Sequence, residues 1–157
     1  MRRILSHGLV VFAGVVSPVA LSPWQAPPTP VPDYRNDPRA ETLRRFFDQS
    51  ACPAAQYTLA FLEAADRYEL DWRLLPSISF VESTGGKSAP NNNLFGWKSG
   101  RAHFPSPVAG IHAVGYRLAY SSLYRDKSLD ELLATYNPDA AYPRKVKSVM
   151  RRIAPTE

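Results

Sequence analysis

Glu82 is the residue best placed to do chemistry. It follows the apolar run Ile78-Ser79-Phe80-Val81 and precedes Ser83, Thr84 and the pair Gly85-Gly86. A glycine pair is an ordinary helix stop, so Glu82 is expected in the last turn of a helix. Helix carboxyl ends carry partial negative charge, which disfavours an ionised carboxylate there. Burial against Phe80, Phe95 or Trp97 would act in the same direction. An acid that keeps its proton near neutral pH is what a glycosidase needs to protonate a leaving oxygen. An arbitrary glutamate at a helix end is more often a solvated residue, so the surrounding residues have to decide.

Those surroundings read as a binding loop. Residues 87–107 contain Asn91, Asn92 and Asn93 in a row, then Phe95-Gly96-Trp97, then two prolines, a composition typical of irregular structure. A flat aromatic beside a glycine makes a platform for the apolar face of a sugar; Phe95 is expected inside and Trp97 at the cleft. The asparagines suit turn chemistry, or acetamido groups in the case of Asn93. Lys87, Lys98, Arg101, Arg117 and Arg125 add positive charge, and no Asp or Glu occurs between Glu82 and Asp126.

The missing acid bears on mechanism. Retaining glycosidases set two carboxyls about 5 Å apart and inverting ones roughly 6.5–9.5 Å apart. Only Asp139, or an acid from a more distant helix, could supply the partner. Two chemistries dispense with it: attack by the substrate's own 2-acetamido group, giving hydrolysis, or closure of a muramic 6-hydroxyl, giving lytic transglycosylation. Loss of activity is the third option. His103 and His112 stand nine apart with no third ligand nearby, so neither metal nor cofactor is expected.

Three motifs in order, Glu82-Ser83 with Gly85-Gly86, Asn92-Asn93-Leu94-Phe95-Gly96-Trp97-Lys98, and Tyr136 with Asp139 and Tyr142, resemble the bacterial glucosaminidase family. These are peptidoglycan N-acetylglucosaminidases of the lysozyme-like superfamily. The resemblance covers about residues 57–153, and the Asn-Leu-Phe-Gly loop is its most specific element. Tyr136-Asn137 is also similar to the Tyr-Asn pair of soluble lytic transglycosylases. The resemblance implies Glu82 and Tyr136 as catalytic residues and Ser83, Asn93, Phe95, Gly96, Trp97, Asp139 and Tyr142 around the substrate. It implies peptidoglycan strands as the partner of a monomeric, all-α, lysozyme-like domain. The second acid that the family carries in its loop is absent here, because the loop is short.

The elements that must carry this site read as helices. Spacings of three and four recur at Tyr57, Phe61, Ala65 and Tyr68, expected as one buried stripe, and at Leu74, Ile78 and Val81 on a helix capped by Asp71, with Pro76 in its first turns. Further helices are expected over 41–48, 108–120, 129–136 and 141–153. The last turns Val146, Val149 and Ile153 inward and Arg144, Lys145, Lys147, Arg151 and Arg152 outward. No segment alternates as a strand would.

A chain of 157 residues allows one domain with a core, expected over 40–157. Ahead of it, prolines at 23, 27, 28, 30, 32 and 38 suit an extended linker over 23–39. Residues 1–22, with Arg2 and Arg3 before an apolar run, have the form of a signal peptide or an amino-terminal anchor, which places the chain outside the cytoplasm in the periplasm or beyond. The formal net charge of +5 suits an acidic polymer. Nucleic acid is disfavoured, because the basic residues come with an export segment and no recognition motif. Cys52 is the only cysteine, so no internal disulfide forms and the core must hold the fold.

Overall fold

The computed structural model describes residues 32–155. Six helices build it: α1 (Pro38–Gln49), α2 (Thr58–Arg67), α3 (Leu74–Ser83), α4 (Pro107–Tyr120), α5 (Leu129–Tyr136) and α6 (Tyr142–Ile153). Short 3-10 turns stand at Tyr34–Asn36, Pro53–Tyr57 and Pro90–Asn92, and no strand occurs among the described residues. The chain is mainly helical, as its periodicity implies. The expected export segment and the start of the proline-rich stretch lie outside the described residues.

The helix that carries Glu82 runs through the middle. Every residue from Leu74 to Ser79 is buried, so α3 has no solvent face over its first six positions. A helix buried all round belongs inside, and α6 and α2 pack against it. α6 lies along α3, while α4 lies along α2. Leu75, Ile78, Phe47, Phe61, Phe95, Ile111, Leu133 and Val146 are all inaccessible and belong to one core. Fully burying such a side chain contributes about 1.5–3 kcal/mol. α6 is the amphipathic member, with Val146, Val149, Met150 and Ile153 inward as its spacing requires.

Ends are fixed by local chemistry. The Ser106 hydroxyl accepts the Ala109 amide at the start of α4. α5 opens on a capping box in which Ser128 and Glu131 satisfy each other's backbone. α3 stops differently from the expected glycine pair: Thr84 itself turns left-handed (φ 53°), and the Thr84 and Gly85 amides both reach back to the Ser79 carbonyl. Its start differs too. Asp71 accepts the Arg73 amide at 2.9 Å and so organises the preceding turn, while the helix begins at Leu74 without a side-chain cap.

Two expectations are corrected. The linker does not extend to residue 39: Tyr34 is buried against Ala40 and Leu62, and Asp37 caps α1 with Pro38 at its first position. A proline at the first helical position looks like linker in sequence, but its missing N–H is one the helix leaves free anyway. The stripe on α2 is buried only at Phe61 and Ala65; Tyr57 and Tyr68 flank the helix and are half-buried.

Candidate active site

Glu82 lies in the last turn of α3, half-buried. Its Oε1 is shut off from solvent and has no hydrogen-bond partner among the described residues other than the Tyr142 hydroxyl beside it. Its Oε2 faces the Cα of Gly96, so closely that a Cβ there would run into it. Gly96 also has φ +60°, so side-chain room and backbone geometry both call for glycine. The aromatic beside the glycine prompted the expectation of a sugar platform; what the glycine admits in this structure is the acid.

The loop is held in place by the residues that the motif put around the substrate. Ser83 Oγ lies 2.8 Å from the Leu94 carbonyl and 3.0 Å from the Ser79 carbonyl, and it accepts the Gly86 amide at 3.0 Å. Asn93 closes a ring with Trp97: its Nδ2 donates to the Trp97 carbonyl and its Oδ1 accepts the Trp97 amide, each at 3.0 Å. Asn92 donates to the Phe104 carbonyl at 2.8 Å. Phe95 sits in the core, edge-on to Phe61. Phe95 is inaccessible and lies inside as expected, while Ser83, Asn93 and Tyr142 are each exposed by 2% or less, so the contact with substrate that the resemblance implies for these four is corrected. They shape the site from behind, because their polar atoms or rings are occupied by the fold or enclosed by it.

On the opposite wall, the Tyr136 hydroxyl donates to the Phe95 carbonyl at 2.6 Å, a bond across 41 positions that ties the end of α5 to the loop. Its ring stacks on Tyr142 with 5.9 Å between centroids and a 7° tilt, and stands 5.4 Å from Trp97. Burial first, then the Glu82 charge, holds the Tyr136 phenol well above its usual range. Burial first, then a hydrogen bond between its hydroxyl and the Glu82 carboxyl, raises Tyr142; that hydroxyl and Glu82 Oε1 are both buried and have no other partner among the described residues. Both phenols therefore stay protonated, as donors rather than anions. Since Tyr136 spends its proton on Phe95, it offers the cleft a ring.

A groove of about 330 Å³ runs along this wall, lined by Gly96, Trp97, Lys98, Arg117, Tyr124 and Tyr136. Glu82 does not itself line the groove; it lies behind two residues that do, Gly96, which it touches, and Tyr136, on which its charge acts. Tyr124 was missed in the sequence. It lies in the turn between α4 and α5, where no periodicity marks it, yet its ring stands 6.3 Å from Trp97 and is buried.

Other expected participants stand elsewhere. Asp139 is exposed, with its carboxylate taken by Lys145 Nζ at 2.8 Å and the Ala141 amide at 2.9 Å. The Lys145 side chain first, then that amide, lowers its pKa, and Glu82 is not among the groups acting on it. Phe80 does not close over Glu82; it packs on Phe46 at 5.1 Å with the Arg152 guanidinium above both rings. Lys87 donates to the Ser50 carbonyl, and Arg125 pairs with Asp126, which leaves Lys98, Arg101 and Arg117 near the groove. Among the described residues no cluster of His, Cys, Asp and Glu has the makings of a metal site, and no helix is long and apolar enough to cross a membrane.

No family model matches the chain, and no curated protein matches it either.

Proposed function

We propose that this chain is an exported peptidoglycan hydrolase of lysozyme-like architecture. It cleaves β-1,4 bonds of glycan strands in the manner of an N-acetylglucosaminidase, with Glu82 as its acid. The observation that carries this reading is the Glu82 carboxyl itself, with one oxygen buried beside the Tyr142 hydroxyl and the other against a glycine that borders an aromatic groove. Trp97 and Tyr136 line the groove with rings suited to the apolar face of a sugar.

The pairing of Asp139 with Lys145 at the surface supports chemistry with one acid. Glu82 then protonates the bridging oxygen, and the anomeric carbon is met by a group of the substrate itself. The 2-acetamido group leads on to hydrolysis; a muramic 6-hydroxyl leads to an anhydro end. The engaged Asp139 is also the observation that favours the second reading, a lytic transglycosylase. Digestion of purified cell wall followed by mass measurement separates them. Hydrolysis yields fragments with reducing ends, and transglycosylation yields fragments one water lighter without them. An intact wall after prolonged incubation leaves a wall-binding scaffold and overturns the enzyme.

A further inference from the structure

Next to the groove lies a second concavity of about 340 Å³, lined among others by Trp97, Lys98, Arg101, His103, Phe104 and Arg117. Its composition is one-sided. Lys98, Arg101 and Arg117 bring three positive charges, no carboxylate lines it, and the chain supplies no acid between Glu82 and Asp126. None of the three cations has an ion-pair partner among the described residues, whereas Arg39, Arg73, Lys145 and Lys147 elsewhere do. The Arg117 guanidinium lies 5.9 Å from the centre of the Trp97 ring, which fixes it at the boundary of the two concavities. Like charges gathered in one hollow repel each other, and a bound anion relieves that repulsion. An arginine fork is suited to a carboxylate.

We propose that this hollow holds the carboxylate-bearing peptide attached to alternate sugars of the strand, so that the protein selects peptide-bearing glycan over bare glycan. The inference rests on the glycan reading above for the identity of the anion. The geometry suits it: Trp97, Lys98 and Arg117 line both concavities, so a sugar against Trp97 would carry its acidic substituent directly into the cationic side. Arg101 and His103 line the hollow alone, and Arg101 is exposed, so removing it leaves the core untouched.

The probe is an N-acetylmuramyl peptide with free carboxyls, compared with the same compound fully amidated, by calorimetric titration of the full chain. It contains no glycosidic bond between sugars, so binding is read without turnover. The acidic form is expected to bind roughly tenfold more tightly than the amidated one. That ratio should shrink with added salt, fall towards one in the Lys98→Ala/Arg101→Ala variant, and recover in part with Arg101→Lys. Equal binding of the two forms, or a ratio unchanged in the double variant, overturns the proposal. So does displacement of the acidic peptide by equimolar inorganic phosphate, which would make the hollow a phosphate site. Either failure leaves the glycosidase reading standing, and an inactive enzyme that keeps the ratio leaves the hollow standing.

Discussion

Replacing Gly96 by alanine imposes two separate burdens, and the fold contains the means to tell them apart. The first is conformational: φ at Gly96 is +60°, and an L-residue with a Cβ in that region loses about 1–2 kcal/mol. The second is steric, because the new methyl would occupy the space of Glu82 Oε2. Relieving that contact needs only a turn of the end of a flexible, half-buried side chain, so its cost falls on the placement of the carboxyl rather than on stability. Gly100 provides the control, since it has φ +79° and nothing within 4 Å of its Cβ position. Gly100→Ala and Gly96→Ala should therefore each lower stability by roughly 1–2 kcal/mol, the backbone cost, while only Gly96→Ala displaces the carboxyl. Guanidinium unfolding of both variants measures the stabilities. Turnover on purified cell wall at a temperature where both are folded measures the rest. A carboxyl displaced by about 1 Å loses about a hundredfold in rate, so Gly96→Ala should be nearly inactive and Gly100→Ala close to the parent. Equal losses of activity in the two variants would refute the reasoning, since they would mean that contact with Glu82 has no consequence.

Two further outcomes follow from the same geometry. Ser83→Ala removes the hydroxyl that holds the buried Leu94 carbonyl and the Gly86 amide. Unfolding should register a loss of about 1–3 kcal/mol, with amide hydrogen exchange rising across residues 86–97, and unchanged exchange there would contradict the staple. Acid stability should depend on the network in which Arg39 joins Asp37 and Asp66. Hydrogen bonds from Arg39, the largest cause in each case, hold both carboxyls below their usual range. Groups with a lowered folded pKa stabilise above the unfolded value of about 3.9 and lose that contribution as pH falls below it. Asp66→Asn should thus lower the melting temperature at pH 7 and have a much smaller effect near pH 2; an equal effect at both would exclude the pair as the cause.

How far the sequence reached depended on the range of each contact. The helices were legible because their burial repeats with the period of the backbone, and the expected 129–136 coincides with α5, which is bounded by the Ser128 cap and by Asn137-Pro138. Glu82 at a helix end was legible for the same local reason. What lay beyond reading was everything that depends on two distant segments meeting. Gly96 was legible as a glycine in a loop, but nothing in the sequence says that a carboxylate fourteen positions earlier needs its hydrogen. Asn93 and Ser83 look like substrate contacts in the sequence because polar residues in a motif look alike, whether their partner is a ligand or the backbone. Tyr136 was placed at the cleft, and its bond to Phe95 shows that it also holds the loop. Tyr34 and Pro38 were read as linker because proline denies a donor in both settings; only contact with Ala40 and Leu62 distinguishes them.

The proposed catalysis depends most directly on a proton passing from Glu82 to the bridging oxygen. Substituting glutamine for it preserves size and shape while removing the acid, so the measurement is the rate of fragment release from purified peptidoglycan by Glu82→Gln, alongside sedimentation of the variant with the same material. An acid at Glu82 implies at least a hundredfold loss of release with binding to the wall retained. Release at the parental rate would contradict it.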